Sequence, residues 1–108
     1  MEKQNSKIDL LSIEFANAIR KELKEHIKKI VLFGSRARGD FRPDSDYDVL
    51  IILDQNNKTV KDKILDVSSE FMMNYFLMFS FLSCDQNEWE IKKKYPIGKS
   101  ILREGIEL

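Results

Sequence analysis

The chain has few of the residues that staple, kink or charge a protein. Among its 108 residues there is one cysteine, Cys84, which cannot form an internal disulfide. One histidine, His26, leaves no His/Cys set at metal-ligand spacing, so Cys84 reads as structural. Charge of either sign is not in excess, with 18 Lys plus Arg against 18 Asp plus Glu. That removes the broad basic field that draws proteins onto nucleic acid, so direct nucleic-acid binding is not expected. Long hydrophobic runs are missing too. The greasiest stretch, Phe71 to Leu82, covers 12 residues and includes Asn74 and Ser80, short of the roughly 20 that span a bilayer. Met1 to Asn5 has no signal-peptide core, and with one unpaired cysteine a cytoplasmic protein is expected. The length predicts a single domain over 1–108, too small to add a second domain for gripping a bulky acceptor.

What is present is ordered by period. Ile8, Leu11, Phe15, Ile19, Leu23 and Ile27 recur at three- and four-residue steps with Lys, Glu and Arg between them, predicting an amphipathic helix over 8–27 with Ser6 as N-cap. Ile30 to Phe33 predicts a buried strand stopped by Gly34. Gly39 and Pro43 punctuate the connection to a second strand, Asp46 to Leu53. Val60, Ile64, Val67, Phe71 and Tyr75 predict a helix over 59–75, and most of 75–83 reads as a third strand, although a short apolar run can also continue a helix. Asp85 with Glu88 resembles a capping box opening a helix to about Lys94, before Pro96. A short helix over 99–104 closes at Gly105, and Ile106 to Leu108 suits an edge strand. The sum is a mixed α/β (α+β) domain, helices packed on a small mixed sheet.

The chemistry gathers between the first two strands. Gly34 carries no β-carbon where the chain leaves a strand, so an anion can approach its backbone. Ser35 adds a hydroxyl and can cap a short helix, while Arg36, Arg38 and Arg42 supply guanidinium forks suited to phosphate oxygens. After Ser35 and ten further residues comes Asp46-Tyr47-Asp48. Two apart on a strand, Asp46 and Asp48 share a face with Leu50 and Ile52, their α-carbons about 6.5 to 7 Å apart. Mg²⁺ takes only one or two protein carboxylates, completing its shell with water and substrate phosphates. The pair therefore suffices to start a metal site, and it opens a Val-Leu-Ile-Ile-Leu run where an idle charge is costly.

Gly34-Ser35, the ten-residue spacer and Asp46-x-Asp48, with their surrounding Phe33-Gly34-Ser35-Arg36-Ala37-Arg38-Gly39 and Ser45-Asp46-Tyr47-Asp48-Val49-Leu50, resemble the signature of the DNA polymerase beta-like nucleotidyltransferase superfamily in its minimal nucleotidyltransferase (MNT) branch. The ending Ile101 to Leu108 is similar to stand-alone members as well. The resemblance implies the polymerase beta-like palm fold and adenylyl transfer from MgATP. It also implies an antitoxin role in a hetero-oligomer with a HEPN-domain toxin modified on tyrosine. Gly34 and Ser35, with Arg36 and Arg38, would hold ATP; Asp46 and Asp48 would bind Mg²⁺ and carry the catalysis. The superfamily has a third acid on the strand after the intervening helix. Phe76 to Leu82 has none, Asp85 reads as a helix cap, and Asp66 and Glu70 as solvated helix residues.

Other residues are read more plainly: His26 as an exposed imidazole at a helix C-terminus, and Phe71, Met72, Met73, Phe76, Met78, Phe79 and Phe81 as core, with a partner-docking surface as the alternative. Trp89 and Tyr95 sit on a lysine-rich helix that either contacts an acceptor or is a solvated face with one aromatic anchor. The functional readings are an adenylyltransferase acting on a partner hydroxyl, a degenerate MNT protein that neutralises its partner by binding alone, or a catalytic subunit of an antibiotic- or nucleic-acid-modifying complex.

Overall fold

The computed structural model describes residues 9–108. Helix α1 (Leu10–Leu23) leads through a 3-10 turn, Lys24–His26, into β1 (Ile27–Phe33); a single-turn helix α2 (Ser35–Arg38) and a loop precede β2 (Tyr47–Leu53). Then follow α3 (Lys58–Tyr75), β3 (Phe79–Asp85), α4 (Gln86–Lys92), α5 (Pro96–Glu104) and the two-residue β4 (Ile106–Glu107). The strands form one sheet in the order β3-β2-β1-β4, with β1 antiparallel to β2 and β4, and β2 parallel to β3. A parallel pair needs a long crossover, which α3 supplies.

The alternation expected of β2 is observed. Tyr47, Val49, Ile51 and Leu53 join α1 and α3 in the larger core, around Phe15, Ile19 and Ile64. Leu50 and Ile52 face the opposite way, into a smaller core with Val31, Cys84, Trp89 and Ile101 beneath α4 and α5. With helices on both faces every residue of β2 is buried except Asp48, which is half-buried. Trp89 is the single anchor of α4, and the fully buried Cys84, its thiol pushed up by burial, is structural as expected.

Several boundaries move, each for a local reason. The predicted caps and contacts of Ser6 and Ile8 lie outside the described residues; Asp9 is the N-cap of α1, its carboxylate accepting the Ser12 amide at 2.8 Å. That helix ends at Leu23 rather than Ile27 because Lys24 takes a positive φ of 52°, releasing Ile27 into β1. His26 consequently lies in the turn, exposed, with its Nδ1 3.0 Å from Asp54 Oδ2. The third strand starts at Phe79, not near Tyr75, since the helical spacing of α3 persists to Tyr75 and Phe76 closes it in the left-handed conformation. The Asp85–Glu88 capping box forms as expected, the Glu88 amide donating to Asp85 at 2.7 Å and the Asp85 amide to Glu88 at 2.8 Å. α4 stops at Lys92 and α5 begins at Pro96, whose fixed φ suits a first helical turn.

The aromatic and methionine run divides. Phe71 and Phe79 are core, with Phe79 stacked between Phe15 at 4.2 Å and Tyr47 at 4.4 Å. Met72, Met73, Phe76 and Met78 are exposed, which overturns the core reading for these four. They sit where α3 ends and β3 enters the edge of the sheet.

Candidate active site

Across the β1–β2 pair Phe33 lies opposite Asp48, so the chain leaves β1 at Gly34 beside that carboxylate. Gly34 has φ 76° and ψ −160°, a conformation that only glycine adopts freely. A β-carbon there would stand 2.3 Å from Asp48 Oδ2. The glycine thus serves twice, turning the backbone and making room for the acid. Gly34 is the N-cap of α2 and its carbonyl accepts the amides of Ala37 and Arg38, both at 3.0 Å. Ser35 is the first helical residue, and no side-chain cap bond forms, contrary to the expected Ser35 cap. Its amide is among the first-turn donors that a helix leaves without an internal acceptor.

Asp46 precedes β2 instead of opening it, because pairing begins at Tyr47, whose amide donates to the Met78 carbonyl at 2.9 Å. Asp46 is exposed and Asp48 half-buried. Burial pushes the Asp48 carboxyl above its ordinary value, the charge of Asp46 pushes it further, Arg38 opposes and Glu104 adds to the rise. Two anionic side chains whose repulsion Arg38 only partly offsets are a poor arrangement for the fold and a suitable one for a divalent ion, which takes carboxylate oxygens and reverses this repulsion. The residues present therefore fit Mg²⁺ held by Asp46 and Asp48. Among the described residues no three His, Cys, Asp or Glu side chains converge on a metal position. Ser80 lies opposite Asp48 in the β2–β3 register, so the neighbouring strand presents a hydroxyl where an acid was sought.

The arginines part company. Arg36 is buried at 5% exposure, its Nη2 donating to the carbonyls of Pro43 at 3.1 Å and Ser45 at 3.0 Å. Its guanidinium lies 4.4 Å from the ring centre of Phe41 and 4.2 Å from that of Tyr47. This engagement takes Arg36 out of the expected phosphate-binding set and makes it the strut of the loop that carries Asp46. The strut is tied to α1, since the Tyr47 hydroxyl donates to Asp9 at 2.6 Å and Arg36 Nη1 lies 4.0 Å from the same carboxylate. Burial pushes the Asp9 carboxyl up, but the bonds from Tyr47 and Ser12 and the charge of Arg36 outweigh it and hold it low. Burial and the bond to Asp9 push the Tyr47 phenol up. Arg38 stays at the surface near the bend, its Nε 3.2 Å from Asp40 and its Nη1 3.2 Å from Glu104.

Glu104, outside the Gly-Ser and Asp-x-Asp motifs, joins the site. It lies 70 residues from Gly34 at the end of α5, yet its Oε2 accepts the Gly34 amide at 2.8 Å. Its carboxylate thus occupies one donor of the anion cradle and one of the cradle's arginines. An open groove of about 500 Å³ adjoins the bend, lined by Gly34, Arg38, Ile97, Ser100, Arg103 and Glu104. The only sequence signal for Glu104 is that it ends a helix before Gly105, which leaves its target unspecified.

Residues 13–103 match the model of the nucleotidyltransferase domain family. A curated protein of Methanocaldococcus jannaschii, named as a candidate protein adenylyltransferase, is 32% identical over 92 residues, 85% of this chain and 88% of that protein. Among solved structures, a toxin–antitoxin complex with AMP-PNP superposes with TM-score 0.61 at 10% identity, over 87% of this chain and 69% of that one. A candidate nucleotidyltransferase from Sulfolobus solfataricus does so with TM-score 0.54 at 20% identity, over 95% and 82%. The two superpositions carry the fold: a small mixed sheet with helices on it.

Proposed function

The chain belongs to the nucleotidyltransferase domain family, and from that premise we propose that it transfers AMP from MgATP to a hydroxyl of a partner protein. The acceptor we propose is a tyrosine of a HEPN-domain toxin, which makes this chain, a single domain over 1–108, the antitoxin of a hetero-oligomer. The observation that carries the reading is the Asp48 carboxylate packed against the α-carbon of Gly34, with Asp46 electrostatically coupled to it. An acid and a phosphate cradle share one corner of the sheet. The names of the relatives support the class: a protein adenylyltransferase and a toxin–antitoxin assembly with an ATP analogue.

In this reading Gly34 and Ser35 present amides and a hydroxyl to the triphosphate, and Arg38 adds a guanidinium from the rim of the groove. Asp46 and Asp48 hold Mg²⁺, which when bound neutralises phosphate charge and favours departure of pyrophosphate. An acceptor oxygen attacks the α-phosphorus in line, one P–O bond forming as the bond to the β-phosphate oxygen breaks. Holding donor and acceptor in that line supplies much of the acceleration. The Arg36 strut fixes the loop before β2 and so fixes where Asp46 and Asp48 stand. On β3 it is Ser80, not an acid, that stands opposite Asp48, and Asp85 lies at the far end of the strand as the cap of α4, so among the described residues no third acid of β3 is placed to receive the hydroxyl proton. That observation favours a second reading, in which the protein neutralises its partner by binding and transfers nothing.

Labelled ATP, Mg²⁺ and the product of the neighbouring gene separate the two. Label on the partner, lost with Asp46→Asn plus Asp48→Asn, is the expected result. Stoichiometric binding without label, unchanged by the double substitution, means occlusion alone.

A further inference from the structure

From Ile64 to Ile91 the chain contains no Lys or Arg, although 18 are spread over the remaining residues, and the charges in this stretch are Asp66, Glu70, Asp85, Glu88 and Glu90. The same stretch builds the C-terminal two-thirds of α3 and all of β3, one of the two edge strands of the sheet. Three of the chain's four methionines are here, at 42%, 76% and 47% exposure for Met72, Met73 and Met78. Between α3 and β3 runs an open groove of about 520 Å³. Leu65, Ser68, Met72 and Met73 line it from the helix at three- and four-residue spacing, and Met78 and Phe81 from the strand. One face of the sheet has α1 and α3 on it, and beyond α3 this apolar margin is open among the described residues.

Two further features are costly for the isolated fold. Ser68, buried at 8% exposure in the groove wall, has a hydroxyl with no hydrogen-bond partner among the described residues, a condition native interiors usually avoid. Phe76 closes α3 at φ 58° and ψ 31° with 82% of its surface exposed. Glycine or asparagine is the usual choice there, and an ordinary L-residue costs about 1–2 kcal/mol.

We propose that the groove between α3 and the edge strand β3 docks an amphipathic helix with basic flanks from a partner protein. The apolar stripe on α3 runs from Leu65 to Met73, about 12 Å at 1.5 Å per residue, so it matches two turns of a helix laid beside it. Methionines adapt to varied apolar side chains. Asp66 and Glu70, which with Glu22 and Met73 line a neighbouring hollow of about 560 Å³, provide the acidic rim for lysine or arginine. A second copy of this chain placed by a two-fold axis sets those acids against themselves, and an anionic lipid surface is repelled by them. The inference rests on the groove and not on the transfer reaction; the partner need not be the acceptor.

The test uses the whole chain, without ATP, labelled at its methionine methyl groups. The probe is a model amphipathic peptide of about 18 Leu and Lys residues, against a Leu and Glu peptide of the same pattern. We expect the basic peptide to shift Met72, Met73 and Met78 while Met1 stays still. Asp66→Lys with Glu70→Lys should weaken binding by at least about tenfold, as should Phe76→Asp. All three positions are exposed, and aspartate enters the left-handed conformation more readily than phenylalanine, so the variants should melt at or above the wild-type temperature. Equal shifts with both peptides, no shifts with either, or a dimer that Phe76→Asp dissolves each overturn the proposal. Failure here leaves labelling of an acceptor untouched, and loss of labelling leaves peptide binding untouched.

Discussion

At the scale of single residues, Gly34 and Asp48 form a unit that neither can leave alone. Gly34→Ala places a β-carbon on an oxygen of Asp48 and forces a glycine-only conformation. We expect a loss of about 1–3 kcal/mol, read as a fall in melting temperature, together with loss of any stabilisation by MgATP. Asp48→Asn should act in the opposite sense. In the native protein the Asp48 carboxyl is raised above the 3.8 of an ordinary aspartate by burial and by Asp46. Between that value and the raised one the folded state holds more protons than the unfolded state, so stability falls as pH rises through the interval. The resulting cost persists at neutral pH. Asparagine removes it, so Asp48→Asn should raise the melting temperature by roughly 1–4 °C at pH 7. The gain should shrink as pH falls through the raised value and vanish below 3.8, the ordinary aspartate value. A melting temperature that falls at pH 7 and does not converge with the wild type in acid contradicts this account.

At the scale of elements, the end of α5 comes back over 70 residues of sequence to bind the Gly34 bend. The Glu104 carboxylate takes the Gly34 amide and pairs with Arg38 at an 11% exposed side chain. A triphosphate seated at the bend competes for both groups and meets an added negative charge. Glu104→Gln keeps an oxygen for the Gly34 amide and removes that charge. ATP affinity in the presence of Mg²⁺ should then rise by about 3- to 10-fold, the scale of one partly screened charge pair, as read by titration calorimetry. An affinity that falls instead places Glu104 among the nucleotide's own ligands. On the opposite side of β2, the Asp9–Tyr47–Arg36 network binds α1 to the loop before β2, so the first helix helps to fix the acids although it contributes none of them.

At the scale of the whole molecule, function and stability are linked by mass action. A ligand that binds only the folded chain at about 100 times its dissociation constant stabilises it by about 2.7 kcal/mol. For a domain of this size that is a rise in melting temperature on the order of 10 °C. MgATP should produce it, and Asp46→Asn with Asp48→Asn should abolish it, whether or not AMP is transferred. ATP binding by the double variant with unchanged stabilisation contradicts the assigned metal site. Among the described residues no helix is long and apolar enough to cross a membrane. With a formal net charge of zero, charge is organised only locally, in an apolar margin beside acids on one side and an arginine-rimmed groove on another.

Period and spacing alone determined the order of elements, the two faces of β2 and the pairing of a Gly-Ser bend with an acidic strand entrance. Those are local properties: side chains two apart share a strand face, and a glycine at a strand end leaves space whatever lies around it. Tertiary structure decided the rest. Arg36 and Arg38 look alike in sequence, and only packing between Phe41 and Tyr47 turns one into a strut while the other stays at the groove. Glu104 comes to Gly34 because β4 pairs with β1 and draws the end of α5 over the bend, a contact no local pattern encodes. The methionines and phenylalanines of 71–81 could not be sorted by hydrophobicity, since burial at the edge of a sheet depends on which elements remain to cover it.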